Sequence, residues 1–249
     1  MRRLLLAAAL AGLTVVSGCS SSGGGAPSSS AAASTAPNAQ AQALAAKLRA
    51  GTSGLTSAHI KVVAGSLGGT SEGDVTFQHG AATASDITLN QSGSTRIVTI
   101  GDTSYAKLPG GRNTSGKPWV VVSNDTSNEF VRALVGQVAI IKAAVSVPAI
   151  SALVAEATSV RDLGASATGH HYAISLDMDR VKQSTLGAQL ATLGTDPLPV
   201  DLYLDPKNRP VEIKISARLG TQPLPITITA GDFNAPVTIT APPANEVAS

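Results

Sequence analysis

The spacing of hydrophobic residues in the first half of the chain predicts one helix followed by a run of strands. Strong helix formers lie between Asn38, a suitable N-cap, and Gly51, a common helix stop, which predicts a helix over this segment. From Ala58 the period changes to two, and short segments rich in Val, Ile and Thr alternate with Gly, Ser, Asn or Asp. Five such segments, ending with TSYAKLPG, predict an antiparallel meander, and KPWVVVS at Lys117–Ser123 predicts a further strand.

The middle of the chain has the period of helices. Apolar residues recur at the spacing of one helix face within Thr126–Ala144, and a second run of this kind begins at Pro148, a residue suited to a first helical turn. The pattern therefore predicts two amphipathic helices. Their apolar positions are Phe130, Leu134, Val138 and Ile141 in the first helix and Ile150, Leu153 and Val154 in the second.

Strand patterns return after these helices. TSVRDLG and GHHYAISLD predict two strands, Met178–Gly194 predicts a weaker helix, and four further strands close the chain, the last in Pro236–Pro242. Apolar and polar residues alternate in the late strands, so one sheet face is apolar and the other polar. The predicted fold class is α+β, with one long antiparallel sheet and the central helices on its apolar face. The apolar positions include Leu198, Val200, Leu202 and Leu204, then Val211, Ile213, Ile215 and Ala217.

The N-terminus has the pattern of an export signal. Two arginines precede an apolar run, Leu4–Val16, which is shorter than the about 20 residues that span a bilayer. Small residues then lead into Cys19, the only cysteine, in an order that resembles the lipobox of bacterial lipoproteins. We expect residues 1–18 to be a lipoprotein signal peptide and Cys19 to be the first mature residue, acylated with chains such as palmitate. The alternative is an ordinary signal peptide, cleaved elsewhere, with a chance cysteine.

The segment after Cys19 is predicted to be a tether. Every residue from Ser20 to Pro37 is Ser, Gly, Ala, Pro or Thr, a composition that cannot bury enough apolar area to offset its ordering entropy. Its reach is about 20–25 Å. Residues 19–37 are therefore expected to be the lipidated cysteine and a flexible tether, and residues 38–249 a single domain.

Charge and composition exclude several kinds of partner and core. Loss of Arg2 and Arg3 with the signal peptide leaves 16 basic against 16 acidic side chains, so the mature chain is near neutral. This balance predicts no nucleic-acid partner and no polybasic membrane patch. Apolar residues make up 43% of the chain but aromatic residues only 3%, which predicts an aliphatic interior.

No motif for catalysis or metal binding is found in the sequence. His170 and His171 are adjacent in a predicted strand and point to opposite faces, while His59 and His79 have no suitably spaced partner. A nucleophile elbow is absent, and the glycines of Gly65–Asp74 join two strands rather than a strand and a helix, which favours a turn over a phosphate loop. The sequence predicts no metal site, no cofactor and no enzyme.

The order of these features resembles a known family. The lipobox, the tether, the first helix, a meander with YAKLPG before KPWVVVS, the central helical pair and the late VDLYLDPKNRPVEIKI together resemble the mycobacterial and actinobacterial LppX/LprA/LprF/LprG-type lipoproteins. The resemblance begins at about Ala39. It implies a fold similar to that of the LolA and LolB carriers, a curved antiparallel half-barrel sheet with helices packed on its concave face around a hydrophobic cavity.

The resemblance also implies a function. It suggests a cell-envelope lipoprotein, anchored on the outer face of the cell membrane, periplasm-facing if mycobacterial, that binds and transfers acylated lipids or lipoglycans. The expected partners are an acylated lipid or glycolipid, the membrane, and an envelope transporter or acceptor protein. The alternative is a binding or signalling lipoprotein with a filled core, no lipid cargo and a docking partner on the polar face. The residues expected to line a cavity are Val62, Val75, Phe77, Phe130, Leu134, Val138, Ile150, Leu153, Val200, Leu202, Leu204, Val211, Ile213 and Ile215.

Replacement of the lipobox cysteine tests the predicted anchor. In Cys19→Ala the thiol that would carry the acyl chains is missing, so we expect the protein to move from the membrane fraction to the aqueous fraction. Since a single acyl chain binds membranes only marginally, intact mass spectrometry of the wild type is expected to show two or three chains. Ser22→Ala, in the tether, is the control and should stay at the membrane; equal fractionation of the two variants would contradict the prediction.

Overall fold

The computed structural model describes residues 38–65, 69–90, 93–109, 116–191 and 195–248. The signal peptide, Cys19 and the tether, predicted for residues 1–37, lie outside these ranges and stay predictions. The helices are α1 (Ala39–Thr52), α2 (Glu129–Ala144), α3 (Val147–Ala155), α4 (Met178–Val181) and α5 (Thr185–Ala191), with a 3₁₀ turn at Ala244–Glu246. The strands are β1 (Ser57–Ala64), β2 (Thr70–Gln78), β3 (Ala81–Asn90), β4 (Ser94–Ile100), β5 (Thr103–Lys107), β6 (Trp119–Val121), β7 (Ser159–Ala165), β8 (His170–Leu176), β9 (Leu198–Leu204), β10 (Pro210–Leu219), β11 (Gln222–Gly231) and β12 (Val247–Ala248).

Twelve strands of the described chain form one sheet in the order β12-β6-β5-β4-β3-β2-β1-β11-β10-β9-β8-β7. Neighbouring strands are antiparallel except β12 and β6, which are parallel. Strands β1–β5 form the predicted meander, and β11 pairs with β1, so that the C-terminal strands continue the same sheet. The sheet is open, because the edge strands β12 and β7 do not pair with each other. The predicted α+β half-barrel class is thus confirmed, while the parallel end pair was not predicted.

Side-chain caps fix where the main helices begin. The Oδ1 atom of Asn38 accepts hydrogen bonds from the backbone of Gln40 at 2.9 Å and of Ala41 at 3.3 Å, and α2 begins in the same way after Asn128. Such caps contribute about 1 kcal/mol each by satisfying backbone N–H groups that lack a helical partner. The predicted first helix and central helical pair are therefore confirmed to within a few residues.

Two segments differ from the prediction. The single helix predicted for Met178–Gly194 is instead α4 and α5, because the Ser184 hydroxyl donates to the Val181 carbonyl at 2.9 Å and accepts from Gly187 N at 3.0 Å, ending one helix and starting the next. The strand predicted for Pro236–Pro242 was wrong, because this segment has no regular secondary structure and belongs to no strand of the sheet. Asp232, at φ 47°, begins a turn in which Ala235 N donates to the Asp232 carbonyl at 3.1 Å, and β1 and β10 already occupy both sides of β11.

Buried apolar side chains form two clusters in the part of the chain that the structure describes. One joins α1 and α3 to strands β7–β10, and the other joins α2 to strands β1–β6. Leu48, Leu202, Ile97 and Val131 are almost completely buried, which agrees with the predicted aliphatic interior. No single described helix is both long and apolar enough to cross a membrane; α2 and α3 reach that threshold only as a pair, bent by 73°.

The opposite, convex face of the sheet carries ion pairs between the neighbouring strands β1 and β2. His59 Nδ1 lies 2.8 Å from Asp74 Oδ1, and Lys61 Nζ lies 3.1 Å from Glu72. The hydrogen bond to Asp74 raises the pKa of His59 above its ordinary value, and the bond to Glu72 acts in the same direction. The His59 side chain is partly exposed, so solvent screens this pair.

Gly73 is required where β2 and β3 approach closely. It lies opposite Ile60 and Ile87 in the sheet register, and a Cβ atom there would overlap the carbonyl oxygen of Asp86. Gly73→Ala is expected to lower the free energy of unfolding by about 1–3 kcal/mol, because backbone must shift to relieve the overlap. Gly136→Ala is the matched control: its Cβ meets nothing within 4 Å, and alanine should stabilise α2 by up to about 1 kcal/mol. Denaturant unfolding of both variants measures the difference, and equal effects would contradict this account.

The raised pKa of His59 predicts a pH-dependent contribution to stability. Protonated His59 is stabilised in the folded state, so this contribution is present below the unfolded pKa and is lost as pH rises through the folded pKa. His59→Gln should therefore lower the free energy of unfolding more at about pH 5.5 than at about pH 8.5. In an Asp74→Asn background, the effect of His59→Gln on the free energy of unfolding should depend less on pH. An effect that depends on pH equally in both backgrounds would refute the assignment.

Candidate functional site

A cavity of about 370 Å³ lies on the concave side of the sheet, between the two buried clusters. Its floor is formed by the central strands β1, β10 and β11 together with parts of β2, β3, β8 and β9, and its roof by α2, α3 and α5. Its volume equals that of about a dozen water molecules in the liquid, which does not favour the alternative of a filled core. The lining residues are Ile60, Val62, Ala64, Ser71, Ile87, Leu89, Gln137, Ile141, Ala144, Val145, Ile150, Leu153, Val154, Ile174, Leu176, Leu186, Leu190, Val200, Leu202, Ile213, Ile215, Ile226 and Ile228.

The cavity exists because the helices cover the sheet unevenly. α2 packs towards β1–β6, while α1 and α3 pack towards β7–β10. Above the central strands the chain bends by 73° between α2 and α3, and this bend does not fill the space beneath it. The aliphatic side chains there, such as Ile60, Ile213 and Ile228, are consequently half-buried rather than buried.

The chemistry of the lining is almost purely aliphatic. Of the 23 residues that form it, all are Ala, Val, Leu or Ile except Ser71 and Gln137. None of these lining residues is charged or aromatic. Such a wall offers a ligand dispersion contacts and removal from water, but few directional contacts. The arrangement suits a flexible hydrocarbon.

A second, smaller chamber of about 40 Å³ adjoins the cavity. It lies near the start of β1 and the end of β2, where Leu55, Ala58, Phe77 and Phe233 line it together with one charged residue, Glu212. Six residues line both spaces and separate them, and we call these residues the partition. The partition comprises Ile60, Ala144, Val145, Ile150, Ile213 and Ile228.

The structure brings together most, but not all, of the residues predicted to line a cavity. Seven of the fourteen line the large cavity, and Phe77 and Val211 line the small chamber. The other five line neither space, because they fill the contacts between helices and sheet. The residues that line the large cavity are Val62, Ile150, Leu153, Val200, Leu202, Ile213 and Ile215. Those that line neither space are Val75, Phe130, Leu134, Val138 and Leu204. The binding role of all fourteen stays a prediction.

Several lining residues were not predicted from the sequence. Ile226 and Ile228 on β11, and Ile60 on β1, follow the same period of two as their neighbours, so the alternation could have identified them. Leu186 and Leu190 come from the short helix α5, whose sequence has only a weak helical pattern. No group of three or more potential metal ligands occurs among the described residues.

Comparison with known proteins gives a fold but no sequence match. The chain matches no protein-family model and no curated protein sequence. The structure is similar to that of the Mycobacterium tuberculosis lipoprotein LppX, with a TM-score of 0.51 and 18% identity over 80% of this chain and 98% of that chain. LprF from Mycobacterium bovis gives a TM-score of 0.52 and 20% identity over 83% of this chain and 98% of that chain. The chain therefore has the fold of the mycobacterial LppX/LprF-type lipoproteins, as the sequence resemblance implied.

Proposed function

We propose that this protein is a membrane-anchored lipoprotein of the cell envelope that binds acylated lipids or lipoglycans in its cavity and transfers them. The observation that carries the proposal is the cavity of about 370 Å³ with 21 aliphatic residues among its 23 lining positions. Ligand pockets of comparable size are lined mainly by apolar side chains with few polar groups. The likeness to the lipoprotein LppX supports the same general kind of protein.

The energetics of hydrocarbon favour a carrier that exchanges its cargo with membranes. Each CH₂ group transferred from water into an apolar site gains about 0.8 kcal/mol, so a lipid with a long chain does not leave a bilayer for water at a useful rate. The cavity replaces that water with aliphatic side chains. Because a bilayer interior is equally apolar, the net free energy of transfer between membrane and cavity is small, and cargo can move in either direction.

The predicted anchor would keep the carrier at its source of lipid. Acylation at Cys19 would hold the chain on the outer face of the membrane, and the Ser20–Pro37 tether would let the domain move within about 20–25 Å of its attachment point. An envelope transporter or acceptor protein would then be the second partner in transfer. This arrangement requires no nucleotide and no metal for the binding step.

Recovery of bound lipid tests the proposal. The Cys19→Ala protein is expressed in an actinobacterial host, purified without detergent and examined by native mass spectrometry and solvent extraction. We expect a bound species with at least one acyl chain, at close to one per protein. Recovery of an empty protein under these conditions would remove the main support for a carrier.

A matched pair of substitutions tests whether the lipid occupies the cavity. Val62 lines the cavity, whereas Val63, its neighbour on β1, is exposed on the convex face. Val62→Trp adds seven non-hydrogen atoms and places a bulky ring in the cavity, so we expect bound lipid to fall at least several-fold. Val63→Trp makes the same change on the other face and should retain wild-type lipid. Equal lipid content in the two folded variants would place the lipid elsewhere.

A further inference from the structure

We propose that the cavity is a single-chain site, which accepts one acyl chain of about fifteen carbons and places its methyl end against the partition. This inference rests on the proposed function and adds to it the number, length and direction of the chains inside the protein. Three properties of the cavity support it: its volume, the position of its polar residues and the presence of the partition.

The volume limits the cargo to one chain. An apolar protein cavity of about 150 Å³ accommodates benzene, so each carbon takes about 25 Å³. The cavity of about 370 Å³ therefore accommodates about fifteen carbons. A second chain of the same length would need the same volume again. Any further chains of a bound lipid, together with its headgroup, must remain outside.

The polar residues of the lining indicate the direction of the chain. Ser71 pairs with Val62, two residues along β1 from Ile60 of the partition, which corresponds to about 7 Å. Gln137 lies seven residues before Ala144 on α2, about 10 Å along the helix axis. The carboxyl, ester or amide end of an acyl chain needs hydrogen-bond partners when it leaves water. The Ser71 hydroxyl and the Gln137 amide supply them away from the partition, which leaves the partition for the methyl end. Because this distance is shorter than an extended chain of about fifteen carbons, the bound chain must bend within the cavity.

The partition sets the length limit. Behind it the small chamber of about 40 Å³ offers room for one or two more carbons, which a chain reaches only if a partition side chain is shortened. Ile150 on α3 lines both spaces. Ile150→Ala removes three carbons and joins the two chambers, so the longest acyl chain that fits should grow by about four or five carbons.

A chain-length series on the full-length Cys19→Ala protein tests the inference directly. This variant is used because acyl chains on Cys19 would compete for the cavity. The lipid-free protein is titrated calorimetrically with saturated fatty acids of about eight to about twenty-four carbons. We expect one chain per protein and an affinity that rises by up to about fourfold per carbon until about fifteen or sixteen carbons, then stops rising.

The outcomes of this series separate the inference from the proposed function. Affinity that keeps rising to the longest chain, or two or more chains per protein, would overturn the single-chain site and leave lipid binding intact. Absence of binding at every length would overturn both.

A pair of truncations tests the partition. Leu153 lines the large cavity but not the small chamber, and Leu153→Ala removes the same three carbons as Ile150→Ala. The length limit should rise by about four or five carbons in Ile150→Ala and by no more than about three in Leu153→Ala. Because both truncations create space in the core, Ile150→Val and Leu153→Val provide a milder pair if either alanine variant fails to fold. Equal limits in the two folded variants would refute the role of the partition.

Discussion

The central strands of this sheet present more aliphatic surface on their concave side than the helices cover. Where α1, α2 and α3 pack against the outer strands, side chains such as Ile97 and Leu204 are almost completely buried. Over β1, β10 and β11, by contrast, isoleucines such as Ile60, Ile213 and Ile228 are only half-buried and face a cavity. Burial of apolar surface is the dominant favourable contribution to folding, so an uncovered aliphatic face needs a functional reason. A hydrocarbon ligand supplies one.

The same constraint explains why so few polar side chains line the cavity. Isoleucine, leucine and valine interact with a chain through contacts that do not depend on its orientation, so cargo can enter and leave without the making and breaking of many directional bonds. No charged residue belongs to the lining of this cavity, and some of the charged residues form cross-strand pairs on the convex face, such as His59 with Asp74. The division between an aliphatic inside and a polar outside follows from the alternation of residues along each strand.

That alternation made the fold largely predictable, and the limits of prediction have physical causes. The meander, the central helices and the apolar strand faces follow from periods of two and of 3.6, which a sequence displays directly. The break at Ser184 depends on one hydroxyl that serves two helices. The end of β11 before Asp232, with no further strand in Pro236–Pro242, depends on the absence of a vacant strand position beside β11. Alternation places Val75 and Val62 on the same face, but only tertiary packing decides that the first is covered and the second faces the cavity.

The most direct measurement is a crystal structure of the protein purified without detergent from the envelope in which it matures. Our account predicts continuous, unbranched electron density for one bent chain in the cavity, beginning near Ser71 and Gln137 and ending at Ile150 of the partition. Density for ordered water throughout the cavity, or a core in which the α2–α3 bend has closed onto the central isoleucines, would contradict it.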